Sequence, residues 1–400
     1  MKRIFIPIAI LIAVLSGYYL MHSGAPFSLA AKAPEKPMSR FVKRDAGGQE
    51  LPENSTSWSC IEDRQTGLVW ETKTSDGGLH DQTNLYTWYE PDPLKNGGKP
   101  GFPDMLDYLK SNPDMHELVN DTHSGESCND TLPRCNTRDY AAAVNREGWC
   151  GYHDWRLPEI DELMTLVDHR QTEPAIDSTF FPDMDTLAFW SATTVAGNPA
   201  YAWQAEFIYG AEEPGDEKSD IWGVRLVRGT SAMATGPSEQ AASKECLANA
   251  PRTAPDSRYT LLANGLEVLD RQTRLVWQRC DAGSRWDGQT CSGQWAAYNL
   301  GEAREAARKA GNGWRIPELV ELRSLAERAC HLPAQNVRFF PPNGLGNLGY
   351  WSVTPSLIQP GHVWSFSMWE GKAEAEDVNN QTPRTRFVRG PVDSSAPESD

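Results

Sequence analysis

The sequence predicts an α+β protein built from two tandem copies of one module, each with two helices and then a short-stranded antiparallel sheet, behind an N-terminal membrane helix. Three observations predict it. Five sequence blocks recur in one order, the helical segments each show one apolar face, and tryptophan-bearing segments of strand length cluster late in each copy. Asp63-Arg64-Gln65-Thr66-Gly67-Leu68-Val69-Trp70 returns as Asp270-Arg271-Gln272-Thr273-Arg274-Leu275-Val276-Trp277, and Trp155-Arg156-Leu157-Pro158-Glu159 as Trp314-Arg315-Ile316-Pro317-Glu318. Phe180-Phe181-Pro182 returns as Phe339-Phe340-Pro341, Phe189-Trp190-Ser191 as Tyr350-Trp351-Ser352, and Val227-Arg228-Gly229 as Val388-Arg389-Gly390. The repeat length is far too great for a solenoid and fits tandem domains.

Residues 1–21 read as a signal anchor or signal peptide. Lys2 and Arg3 precede an uncharged, mostly apolar run of 18 residues from Ile4 to Met21. That approaches the roughly 20 residues of a spanning helix and exceeds the ~7–15 of a cleaved signal core. Either reading exports the rest of the chain. It is then anchored through residues 4–21 to the inner membrane and faces the periplasm, or is secreted if the signal is cleaved. Residues 22–56, rich in Ala, Pro, Lys and Gly, read as a flexible tether. The first copy is expected over 57–229, a linker over 230–245, the second copy over 246–391 and a disordered tail over 392–400.

Eight cysteines divide four to a copy, as disulfides in an oxidising compartment would. No pair has the spacing of a zinc site. Cys280–Cys291 reads as a local staple and Cys246–Cys330 as a tie between the start of the second copy and its helix. Cys60–Cys128 and Cys135–Cys150 are the pairing expected in the first.

Charge is uneven. Residues 45–230 hold 13 basic and 34 acidic residues, whereas residues 231–400 hold 18 and 19. A nucleic-acid partner is excluded for want of a basic footprint.

Within a copy, Asp-Arg-Gln-Thr makes a turn and Leu68-Val69-Trp70 a strand entering the core. Helices are expected at Thr137–Glu147 and 296–310. Pro158 and Pro317 are placed in the first turn of a second helix. Its buried face is Ile160, Leu163, Leu166 and Val167, matched by Leu319, Leu322, Leu325, Ala326 and Ala329. Arg156 and Arg315, just ahead of it, read as structural arginines rather than anion ligands. Strands follow at 189–193, 202–207 and 224–228, and again at 350–354, 363–368 and 385–389. The tryptophans that recur in register are read as core.

Catalytic and metal residues are not expected. The loops 191–201 and 352–362 contain no Asp or Glu, as a calcium site would need. Asp183 and Asp185 alone read as a solvated loop. His116-Glu117-Leu118-Val119-Asn120 lacks the second histidine of a zincin, and no Gly-x-Ser-x-Gly elbow occurs. No cofactor is implied.

The order Thr66-Gly67-Leu68-Val69-Trp70, Asp154-Trp155-Arg156-Leu157-Pro158, Phe189-Trp190-Ser191-Ala192-Thr193 and Val224-Arg225-Leu226-Val227-Arg228-Gly229 resembles the Lcl C-terminal domain family, the binding domain at the end of a bacterial collagen-like adhesin. The resemblance covers most of residues 57–391. It implies a C-type-lectin-like α+β fold, related to formylglycine-generating enzymes and phage tropism proteins, and a binding role. The adhesin's domain binds sulfated glycans. This chain departs from it in having no collagen-like Gly-x-y tract and an acidic first copy, which argues against a sulfated polyanion.

The expected function is therefore a non-enzymatic envelope protein that binds a glycan or an envelope protein. A structural envelope protein without a sugar ligand is the rival, and an enzyme of the formylglycine-generating fold the third reading. Aromatics outside the repeat register are the ligand candidates: Trp286 inside the Cys280–Cys291 loop, Trp369 and Tyr209 at strand ends, and Trp88 and Tyr89 in the first copy's insertion. That insertion adds 48 residues between the first two blocks relative to the second copy. Long loops on a rigid scaffold often carry function.

Overall fold

The computed structural model describes residues 39–104, 128, 131–182, 184, 188–215, 217–230, 246–248, 250–344, 349–379 and 381–391. The anchor over 1–21, the linker expected over 230–245 apart from Thr230, the tail over 392–400, the stretch 116–120, and Asp183 and Asp185 lie outside them. Residues Arg40–Asp400 form one compact unit that contains both copies. The fold is mixed and rich in small antiparallel sheets, and no helix among the described residues is long and apolar enough to cross a membrane.

The first copy begins with β1 (Phe41–Arg44), β2 (Cys60–Asp63), β3 (Leu68–Glu71) and β4 (Tyr86–Thr87). Its helices are α1 (Thr137–Glu147) and α2 (Ile160–Leu163), followed by β5 (Ala188–Thr194), β6 (Ala202–Glu206), β7 (Ala211–Glu213), β8 (Ile221–Trp222) and β9 (Val227–Arg228). The second runs β10 (Tyr259–Leu262), β11 (Glu267–Asp270), β12 (Val276–Gln278), β13 (Arg285–Trp286), β14 (Cys291–Ser292), α3 (Leu300–Ala310) and α4 (Leu319–Arg323). It ends with β15 (Tyr350–Pro355), β16 (His362–Ser367), β17 (Lys372–Asp377) and β18 (Val388–Arg389). Equivalent sheets recur: β1-β2-β3-β9 and β10-β11-β12-β18, then β5-β6-β7 and β15-β16-β17, all antiparallel. The β5–β6 and β15–β16 pairs share a register shift at the same place.

The tether expected over 22–56 is too long. Residues 39–56 belong to the fold, with Phe41 opposite Asp63 in the β1–β2 ladder and packed on Phe180 and Phe181. Phe-Val-Lys-Arg is too short to show a period of two, so its strand character is concealed in the sequence. The β1–β2 pair corresponds to β10–β11, down to the ion pair of Arg40 with Asp63 and of Arg258 with Asp270.

Helix α1 spans the expected residues because Asn136 caps Asp139 N and Gly148 closes the other end in the left-handed region. Helix α3 starts at Leu300, later than expected, since Asn299 and Glu302 form a capping box. Neither proline enters the second helix. Pro158 and Pro317 precede N-caps Glu159 and Glu318, and α2 and α4 have only 4 and 5 residues. Glu162 accepts from Glu159 N and from Arg156 at 2.7 Å; Glu321 does the same for Glu318 N and Arg315. This clamp is what the Trp-Arg-x-Pro-Glu block encodes, and it makes both arginines structural.

Tryptophans 70, 190 and 203 and their equivalents 277, 351 and 364 are buried. All eight cysteines pair: Cys280–Cys291 and Cys246–Cys330 as spacing favours, but Cys60–Cys150 and Cys128–Cys135 in the first copy. The expected Cys60–Cys128 and Cys135–Cys150 are corrected. The turn after α1 brings Cys150 back onto β2, a contact 90 residues apart in sequence, and leaves the two insertion cysteines to each other.

Candidate functional site

The first copy's insertion folds back over its own sheet. Trp88 follows β4, its amide donating to the Lys218 carbonyl and its indole to the Ser191 carbonyl at 2.8 Å. The chain returns at Gly101, where a Cβ would stand 2.1 Å from the Trp88 carbonyl oxygen at a φ of +77°, so only glycine fits. Lys218 fastens the loop. Its ammonium donates to the carbonyls of Asn96 (3.0 Å) and Lys99 (2.9 Å) and to Thr194 Oγ1 (3.0 Å), and lies 3.8 Å from the Trp88 ring centre. Burial pulls its pKa down to about 7, and among the described residues no carboxylate bonds it to offset this.

Between this loop and the second copy lies a cleft of about 310 Å³. The first copy contributes Trp88, Tyr89 and Glu90 from the loop, Thr137, Arg138 and Ala141 from α1, Trp155–Leu157 and Glu159 from the repeated block, and Ala192–Thr194 from β5. The second closes it with Leu247, Pro251, Thr253, Arg328 and Ala329. A further lobe of about 320 Å³ shares Glu90, Lys95, Arg156 and Glu159 with it and reaches Arg258 and Gln272. Volume and mixed lining suit a small ligand.

The second-copy wall is held firmly. Cys246 bonds Cys330, and Leu247 N donates to the Ala329 carbonyl (2.8 Å). The Glu327 carboxylate accepts from Thr253, Ala254 and Ala329 amides at 3.0–3.1 Å.

The open polar groups differ in character. Lys95 and Arg138 are exposed, and among the described residues no carboxylate bonds them. Glu159 opens to cleft water but is hemmed in by the walls. That crowding raises its pKa even though Thr193 Oγ1 donates to it at 2.6 Å. Arg156 is occupied by Glu162, and Arg328 by Asp161.

Of the five aromatics singled out in the sequence, the structure brings together only Trp88 and Tyr89. Both line the cleft, Trp88 only 1 % exposed and Tyr89 half-buried. Tyr209 is exposed on the β6–β7 turn, and Trp286 lies on β13 with the Arg279 guanidinium 3.4 Å from its ring centre. Trp369 borders a hollow of about 20 Å³ on the second copy. Sequence reasoning missed Trp155, which kept the repeat register and read as core, and Lys95 and Arg138, which carry no repeat signal. Every second-copy lining residue also escaped it. Among the described residues, no group of three or more His, Cys, Asp or Glu is placed to hold a metal ion.

The family described as the Lcl C-terminal domain matches the chain over residues 59–228 and 266–389. No curated protein and no solved structure matches it.

Proposed function

Since the chain belongs to the Lcl C-terminal domain family through both of its copies, we propose that it is a non-enzymatic binding protein of the cell envelope, lectin-like in fold, that takes a glycan in the cleft between the copies. The observation that carries this reading is the lining of that cleft. Trp88, Tyr89 and Trp155 line it together with Thr193, Glu90, Glu159, Lys95 and Arg138, the mixture of apolar surface and hydrogen-bonding groups that a sugar ring requires. All eight cysteines are consumed in disulfides, which leaves no thiol for chemistry of the formylglycine-generating kind. Residues 4–21 anchor the protein in the inner membrane, or direct its export.

A glycan array probed with the full chain tests the reading. Binding to a subset of glycans, weakened about tenfold or more by Tyr89→Ala, is the expected result; silence across the array rejects glycan recognition. One observation favours assembly into an envelope structure instead. Leu261 (44 % exposed) and Leu266 (54 %) lie on and beside the edge strand β10, where another chain could add a strand.

A further inference from the structure

We propose that the two copies recognise each other through a charge code written at non-equivalent repeat positions, so that each docking face fits the other copy and rejects its own kind. The faces are related by a near two-fold axis. Arg328 of the second copy lies 5.1 Å from the Trp203 ring centre of the first, and His169, the repeat equivalent of Arg328, lies 5.5 Å from Trp364, the equivalent of Trp203. Edge strands β7 and β17, also equivalent, abut. A symmetric arrangement of this kind would ordinarily permit like copies to pair.

The buried charges break that symmetry. Arg323 forks Glu212 at 2.8 and 2.7 Å, and Arg328 bonds Asp161 at 3.0 and 2.7 Å. All four side chains are buried. The positions equivalent to Asp161 and Glu212 hold Val320 and Ala373; those equivalent to Arg323 and Arg328 hold Met164 and His169. Two first copies facing each other would bury four carboxylates against Met164 and His169. Two second copies would bury four guanidiniums against Val320 and Ala373. Leaving one partner of a buried pair uncompensated weakens an interface by more than about a hundredfold.

Nothing covalent across the face assists the match. The disulfides Cys60–Cys150 and Cys128–Cys135 close within the first copy, and Cys246–Cys330 and Cys280–Cys291 within the second. The docking contacts alone must hold the copies once the connecting chain is cut.

The experiment uses the full chain in detergent with a protease site placed in residues 231–245, cut after folding. The two fragments should co-elute at micromolar concentration; separation overturns the proposal. Two cut preparations, their second copies carrying different tags, are then mixed. Capture of one tag should recover first copy and none of the other tag, and recovery of both tags overturns it. Arg323→Glu and Glu212→Arg should each raise the concentration needed for co-elution at least about a hundredfold, and the two together should restore much of it. A double variant no better than the singles overturns the code. Near-UV circular dichroism before cutting shows that each variant is folded. For one that is not, the milder Arg323→Met and Glu212→Gln take its place with the same expected loss.

Discussion

The two copies bury the same arginine between the same pair of rings and give it different company. Arg225 lies 5.1 and 5.3 Å from the ring centres of Phe181 and Phe189, and Arg386 lies 5.0 and 5.2 Å from those of Phe340 and Tyr350. In the first copy the nearby carboxylate is Glu71 on β3, which accepts from Lys73 (3.0 Å), from Leu226 N (2.8 Å) and from the Tyr140 hydroxyl, with His80 Nδ1 at 2.9 Å. In the second, Gln278 stands at that position and the carboxylate is Asp281, bonded by Arg386 (2.7 Å), Arg384 (2.8 Å) and the Tyr350 hydroxyl (2.8 Å). The module thus holds its buried cation fixed and lets the anion migrate, provided the network around it closes.

The largest effect is expected from the long disulfides. Losing Cys60–Cys150 or Cys246–Cys330, which span 90 and 84 residues, should each cost about 4.5 kcal/mol, against about 2.5 kcal/mol for the short Cys128–Cys135. Urea unfolding of the paired Cys→Ser variants measures this, and unequal long-bridge costs would show that the copies are not energetically alike. Next is the anion itself. Glu71→Gln reproduces the residue of the second copy but strands buried Lys73, and should cost ~3–5 kcal/mol. Adding Lys73→Met should recover at least half, since the unpaired charge is then gone; no recovery would place the cost in lost packing.

Acid should separate the copies more gently. The Lys73 ammonium, with His80 and the Leu226 amide, outweighs burial and holds Glu71 down to about 2. A carboxylate depressed in this way contributes stability above its unfolded value near 4.5, and the contribution is lost as pH falls through about 2. Histidine and tyrosine signals of His80 and Tyr140 followed by NMR should change in that window, and Glu71→Gln should abolish the change. A second pH effect, in the alkaline range, belongs to Lys218. Its lowered pKa means the unfolded chain binds the extra proton between about 7 and 10.5, so this residue should make stability rise with pH across that range. Lys218→Met should flatten the rise in thermal melts.

Much of the fold was legible where local chemistry decides it. Asn136 and Gly148 bracket α1, and the paired blocks imposed one architecture on both halves. Strands β7 and β17, Ala-Glu-Glu and Lys-Ala-Glu-Ala-Glu-Asp, were not legible. Their polarity reads as solvated turn, and only the β6 and β16 edges and the facing copy make them strands. The cleft was half-visible. Trp88 and Tyr89 stood out because they break register, whereas Thr253 and Arg328 reach it through docking, which no local pattern records. Arg323 and Arg328 look like ordinary charges around a short helix until Glu212 and Asp161 are seen to meet them.

One difference between the copies bears on handling the protein. The outer edge of β1 is covered by the chain itself, Leu51 N donating to the Lys43 carbonyl with Arg44 bridged to Glu50. Among the described residues, β10 bonds β11 alone and leaves Leu261 facing water. In concentrated stocks the second half would then be the seed from which cross-β stacking starts, and a gatekeeping Leu261→Lys exchange should lengthen storage life without disturbing either core.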